Sequence, residues 1–175
     1  AFTEGMKAAK VLTTAKHFPG LGAVTGNTDI SAGVRDDQTN SNSESVQIFK
    51  DLISSGTPSI MTATAIYDKI DPNLPGAFSS KMVDGLLRKQ LGFDGLVITD
   101  DLSNAVQVQS WTPGQRAVLA LSAGNDLVLA NEPTQIPEMI SEVLQKAKAD
   151  PDFAKKISQS ATRVIKVKEE MKLVE

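Results

Sequence analysis

The 175-residue chain has no cysteine, a single histidine, a single tryptophan and a single tyrosine. The absence of thiols rules out disulfides and thiolate metal sites, and one histidine leaves a zinc site dependent on an unusual all-carboxylate partner set. Metal catalysis and a bound cofactor are therefore not expected. An excess of positive charge is also missing: 18 Lys and Arg stand scattered against 21 Asp and Glu, for a net charge of −3. That balance gives no electrostatic support for binding nucleic acid or an anionic membrane. No run approaches the roughly 20 apolar residues of a membrane span. The first ten residues, AFTEGMKAAK, lack the apolar core of a secretory signal and read as the end of a helix. Neither a P-loop nor a Gly-x-Gly-x-x-Gly segment follows a candidate strand, so a nucleotide site has no basis. Neutral small molecules are the ligand class these absences leave. A cysteine-free chain suits the cytoplasm as well as an exported or cell-envelope protein, and the compartment stays open.

What is present is an ordinary globular composition, 41% hydrophobic and 22% charged, in a chain long enough for one domain with its own core. Short β-branched runs at Val11–Ala15, Ser59–Ala63, Leu96–Thr99 and Asp126–Ala130 predict strands. Between them, apolar residues spaced by three and four predict helices over Glu44–Ile53, Lys81–Leu91, Gln115–Ala123 and about Ile136–Ala149. A last helix is expected over Asp152–Leu173. Gly56, Gly92 and Gly124 sit where helices should close, and Ser79-Ser80 is a helix N-cap candidate. Strands alternating with helices imply parallel pairing and an α/β fold. The stretch from Gly20 to about Ser43, rich in Gly, Thr, Asn, Asp and Ser, is the one long irregular connection, and such loops are often functional.

Each predicted strand runs into polar residues: Lys16-His17, Thr62-Ala63-Thr64, Asp100-Asp101 and Asn131-Glu132. In parallel α/β folds the active site lies at the C-terminal ends of the strands. Lys16, His17, Thr62, Thr64 and Asp100 are accordingly taken together as one candidate site, whereas Asp101 is as well explained as a cap.

Two segments are more specific. Lys16-His17-Phe18-Pro19-Gly20-Leu21-Gly22 resembles the Lys-His-Phe-Pro-Gly-His-Gly signature of glycoside hydrolase family 3. Met61-Thr62-Ala63, Tyr67, Asp71-Pro72, Leu91-Gly92-Phe93-Asp94-Gly95 and Thr99-Asp100-Asp101-Leu102 follow in the order of the same family. The branch most similar is that of the bacterial β-N-acetylglucosaminidases. The resemblance implies a (β/α)8 TIM-barrel fold, with residues 1–175 supplying about four C-terminal β/α units and a terminal helix. It implies a retaining, exo-acting β-N-acetylhexosaminidase with Asp100 as nucleophile, and Lys16 and His17 as ligands of sugar hydroxyls. Thr62 and Thr64, at the end of the second strand, join them as substrate-binding candidates. A carbohydrate, with a cell-wall sugar as the natural guess, is the implied substrate.

The sequence departs from this pattern after Gly22. Where the acetylglucosaminidase branch has Asp-Ser-His, it reads Asn27-Thr28-Asp29; Leu21 replaces the second signature histidine, and Thr64 stands where histidine is common. Asp29 is either the general acid/base or a loop aspartate that makes a turn. Four β/α units where a barrel has eight also imply a complement, expected to be the N-terminal half of the same barrel as another chain, or a second copy. The alternatives are a non-catalytic carbohydrate-binding or structural half barrel, a β-glucosidase-type specificity, and a lyase or aldolase that uses Lys16 as a Schiff-base amine.

Overall fold

A computed structural model describes residues 2–174; Ala1 and Glu175, the ends of the expected 1–175 domain, lie outside the described residues. In chain order the elements are α1 (Phe2–Ala8), β1 (Thr14–Phe18), β2 (Arg35–Asp36), α2 (Glu44–Ser54), β3 (Ser59–Thr62), β4 (Ile66–Tyr67) and β5 (Asp71–Pro75). A π-helical segment, Lys81–Gln90, precedes β6 (Leu96–Asp101), α3 (Pro113–Ala123), β7 (Leu127–Leu129), α4 (Ile136–Ala149) and α5 (Pro151–Glu170). Strands β1, β3, β6 and β7 form one wholly parallel sheet in that order. Consecutive order with a helical crossover each time is the winding of a (β/α)8 barrel, in which each new strand is added to the same edge. The chain thus has the expected α/β class and shows four units of it.

Alternation along the strands sorts residues between two faces of the sheet. On one face Phe18, Ile60, Val97 and Thr99 are fully buried. Against them pack Val46 and Phe49 of α2 and Met82, Val83 and Leu87 of the π-helical segment. Phe18 meets Phe49 edge to face, with ring centroids 5.1 Å apart. Burying such a side chain stabilises the fold by roughly 1.5–3 kcal/mol. A second apolar cluster joins Phe78, Leu102, Val108, Ala117, Ala120 and Met139. It fixes α3 and α4 beneath the loop that follows β6. The other face of the sheet, carrying Met61, Ile98 and Asp100, is only partly covered.

Helix ends follow the local chemistry. Thr112 and Gln115 make a reciprocal capping box at the start of α3, and Gly56, Gly92 and Gly124 have positive φ where helices close. At the expected Ser79-Ser80 cap it is the Ser79 hydroxyl that accepts from the Met82 N–H. A buried ion-pair network closes the lower part of the sheet. The Asp126 side chain, with no exposure, meets Arg88 and Arg163 and accepts from the Val97 N–H.

Two expectations need correction. The first strand was expected at Val11–Ala15 and forms at Thr14–Phe18, with Val11 and Leu12 exposed. Pairing of Thr14 with Ser59 and Ala15 with Ile60 sets the register, and the apolar run upstream has no sheet partner. The third strand continues past Thr99 through Asp101. In the small sheet β2–β4–β5, β2 and β4 have two residues each, and β5, with the sequence DPNLP, has no apolar alternation to reveal it.

Among the described residues, β1 and β7 have no outer neighbour in the large sheet. Beside β7, Ile136, Ile140 and Leu144 of α4 are exposed and line an apolar groove of about 480 Å³ with Leu127, Leu129 and Val143.

Candidate active site

A register shift in β1 shapes the site. Ala15 pairs with Ile60 and Phe18 with Thr62, so Lys16 and His17 together span the place of Met61 alone on β3. An extra residue in one strand re-aims the local side chains. It gives the bulged pair access to the partly covered face of the sheet, opposite the helices that bury Phe18. Lys16 is exposed and His17 half-buried. The His17 Nε2 lies 3.6 Å from Asp100 Oδ2 at the end of β6, and the two side chains are 23% and 24% exposed.

Burial is the strongest influence on His17 and holds its pKa below the ordinary 6.5. Asp100 opposes that by stabilising the imidazolium, Lys16 lowers the pKa further, and Asp29 raises it. The neutral imidazole offers one donor and one acceptor. Three of the expected site residues, Lys16, Asp29 and Asp100, are therefore electrostatic neighbours of the fourth, His17. Asp100 accepts one internal hydrogen bond, from the Asp101 N–H to its own Oδ1 at 2.9 Å.

The turn that presents Asp100 is braced from below. Asp101 accepts from the N–H and hydroxyl of Ser103, from Asn104 N–H and from Asn131 N–H. Burial pushes its pKa upward, but these hydrogen bonds prevail and hold it below the usual carboxylate value. Asp101 is a loop organiser. Arg116, buried, donates to the carbonyls of Leu102, Ser103 and Trp111. Burial pulls its pKa below the usual guanidinium value.

The long loop after β1 is tied across to the loop after β6. Val106 N–H donates to the Asp29 carbonyl at 3.2 Å and Gln107 N–H to the Thr28 carbonyl at 3.0 Å. The Gln107 side chain accepts from Val34 N–H at 2.9 Å and donates to Val34 C=O at 3.0 Å. Tyr67, buried, donates its hydroxyl to the Gly20 carbonyl at 2.8 Å. Gly20 has φ +126°, and a Cβ there would sit 2.7 Å from the Ser45 Cβ, so the turn out of β1 requires glycine.

The two threonines are not brought to the open face. Thr62 has no exposure, and its hydroxyl donates to Asn125 Oδ1 at 2.9 Å. Asn125 in turn donates to the carbonyls of Ala77 and Ala120. Thr64 is 1% exposed, with a buried hydroxyl that has no hydrogen-bond partner. Sequence reasoning missed Gln107, Arg116 and Asn125. Gln107, between Val106 and Val108, offered one signal, a polar residue among apolar ones, whereas Arg116 beside Gln115 and Asn125 beside Asp126 offered none. Among the described residues, no three His, Asp or Glu side chains converge closely enough to hold a metal ion, and no helix is long and apolar enough to cross a membrane.

Comparison with known proteins bears on the family and the fold. Residues 1–167 match the family described as the glycosyl hydrolase family 3 N terminal domain. The chain is 36% identical over 142 residues to a beta-hexosaminidase of Methylobacillus flagellatus, covering 80% of this chain and 40% of that protein. It is 36% identical over 146 residues to a beta-hexosaminidase of Hydrogenovibrio crunogenus, again covering 40% of it. It thus spans less than half the length of these relatives. Among solved structures, it superposes with a TM-score of 0.94 and 51% identity on a beta-N-acetylhexosaminidase from Beutenbergia cavernae, covering 96% of this chain and 50% of that one. A family 3 beta-N-acetylglucosaminidase from Paenibacillus gives a TM-score of 0.89 at 26% identity, covering 97% of this chain and 33% of the other. The chain belongs to glycoside hydrolase family 3.

Proposed function

We propose that residues 1–175 are the nucleophile-bearing C-terminal half of a (β/α)8 barrel, in a retaining exo-acting β-N-acetylhexosaminidase that releases terminal N-acetylglucosamine. The observation that carries the reading is Asp100: a partly exposed carboxylate on a rigid strand end, with His17 3.6 Å away. In this reading the Asp100 carboxylate attacks the anomeric carbon as the glycosidic C–O bond breaks. Asp29 gives its proton to the departing oxygen, and the covalent glycosyl–enzyme is then hydrolysed by water that Asp29 deprotonates. His17 and Lys16 hold sugar hydroxyls. The sugar class is supported by the names of the relatives, and the complementary four units would pair at the free edges of β1 and β7. Those units are the N-terminal half of the same barrel, or failing that a second copy of this chain.

One observation favours a non-catalytic, sugar-binding role instead: the Asn27 side chain accepts from the Asp29 N–H at 2.8 Å, a local turn that needs no acid. Intact mass separates the two. After treatment with a fluorinated N-acetylglucosaminyl inactivator, the catalytic reading expects an adduct on the peptide containing Asp100. With the complementary half present, binding of the sugar without an adduct selects the other reading.

A further inference from the structure

We infer that Gln107 is a positioning residue for the loop that carries Asp29. Its carboxamide meets both backbone groups of Val34, at 2.9 Å and 3.0 Å, as a neighbouring strand would. The residue is 5% exposed. Beside it, the backbone N–H groups of Val106 and Gln107 bond the carbonyls of Asp29 and Thr28. Four hydrogen bonds thus join the loop after β1 to the loop after β6, within a few residues of Asp29 on one side and of Asp100 on the other. The loop after β1 is long and mostly exposed, and a loop of that kind opens readily unless something pins it. The Gln107 side chain supplies two of the four pins and its backbone N–H a third, and no other side chain takes part. Its buried amide has no solvent to exchange with, so loss of the pair leaves the Val34 N–H without a partner and removes one donor from the Val34 carbonyl. The Val34 carbonyl keeps one further donor, the Ile66 N–H, which belongs to the small sheet and does not reach the Asp100 loop. Gln107 touches no substrate in this arrangement; it acts on the reaction through where Asp29 stands.

The inference rests on the reading of Asp100 as nucleophile and Asp29 as acid, and its test separates the two. In the intact enzyme, Gln107→Met keeps the length of the side chain and removes both hydrogen bonds. Two aryl N-acetylglucosaminides are compared on each sample, one releasing dinitrophenolate, which leaves without a proton, and one releasing phenolate, which needs one. The expected result is a loss of roughly 10-fold or more in kcat/KM for the phenyl glycoside, with the dinitrophenyl glycoside changed by less than about 3-fold, since general acid catalysis contributes only where the leaving group requires it. Because both rates come from one sample, their ratio does not depend on the fraction folded. A Gln107→Glu variant gives a second reading: the same loss at high pH, relieved relative to the parent enzyme at low pH, where a protonated carboxyl can again donate to Val34. Equal losses on both substrates, or no loss on either, overturn the inference while leaving the site reading intact. Turnover that survives Asp100→Asn overturns the site reading, and the role of Gln107 with it.

Discussion

His17 Nε2 stands 3.6 Å from Asp100 Oδ2, and the imidazole belongs to the only histidine in the chain. A single imidazole signal can therefore be followed by NMR without assignment. Asp100 is the strongest influence raising the His17 pKa. Asp100→Asn is expected to move the titration midpoint to lower pH, and Lys16→Met to move it upward. The folded pKa lies below 6.5, so the native state binds fewer protons than the unfolded chain as pH falls through that range. The stability tied to neutral His17 is fully present above 6.5 and is lost as pH falls through the folded value. A midpoint unmoved by Asp100→Asn would mean that the two side chains do not interact in solution.

Asp100 contributes little to the fold by the same geometry. It makes one hydrogen bond, to the neighbouring Asp101 N–H, and is a quarter exposed. Asp100→Asn is expected to change stability by about 0.5 kcal/mol or less. Hydrolysis should fall by about 10⁴-fold or more, as when other covalent nucleophiles are removed. Urea unfolding and aryl-glycoside turnover on the same preparation give both numbers, and a large loss of stability would instead assign Asp100 to the scaffold.

Asp126 is the converse case. Its carboxylate is wholly buried, held between Arg88 and Arg163, and accepts from the backbone of β6. Asp126→Ala leaves Arg88, itself mostly buried, without a carboxylate partner and with only the carbonyls of Phe93 and Gly95 to accept from it. Breaking a buried pair in this way costs about 3–5 kcal/mol. Arg163 is more exposed, and Arg163→Ala should cost no more than about 1 kcal/mol. Urea titration of the parent and the two variants orders them, and equal losses would show that Arg163, rather than Arg88, carries the interaction with Asp126.

How legible the sequence was depends on whether the decisive interaction is local. The winding was legible because alternating apolar periods report burial directly, and Asp100 because a carboxylate after such a run stands at a strand end. The resemblance then supplied roles that no period could supply. Three features were not legible. The start of β1 depends on Thr14 meeting Ser59, a tertiary choice that leaves Val11 and Leu12 outside the sheet. The partners that Asp101 holds depend on tertiary placement, since Asn131 reaches it from 30 positions away. The link between the two loops depends on Gln107 reaching Val34 across 73 positions of sequence.

Thr62 shows the same limit, and its role can be measured. At the end of a strand beside Lys16 and Asp100 it reads as a sugar ligand, but alternation turns it to the buried face with Ile60. There its hydroxyl donates to Asn125, whose amide reaches the carbonyls of Ala77 and Ala120. Thr62→Val keeps the shape and removes the donor, leaving the Asn125 oxygen buried and unpaired at a cost of about 1–3 kcal/mol. Thr62→Ser keeps the donor and should cost about 1 kcal/mol for the lost methyl. Neither change should alter KM for an N-acetylglucosaminide, whereas Lys16→Met should raise it. A rise in KM for Thr62→Val with stability unchanged would return Thr62 to the sugar site and place Asn125 outside any role in holding it.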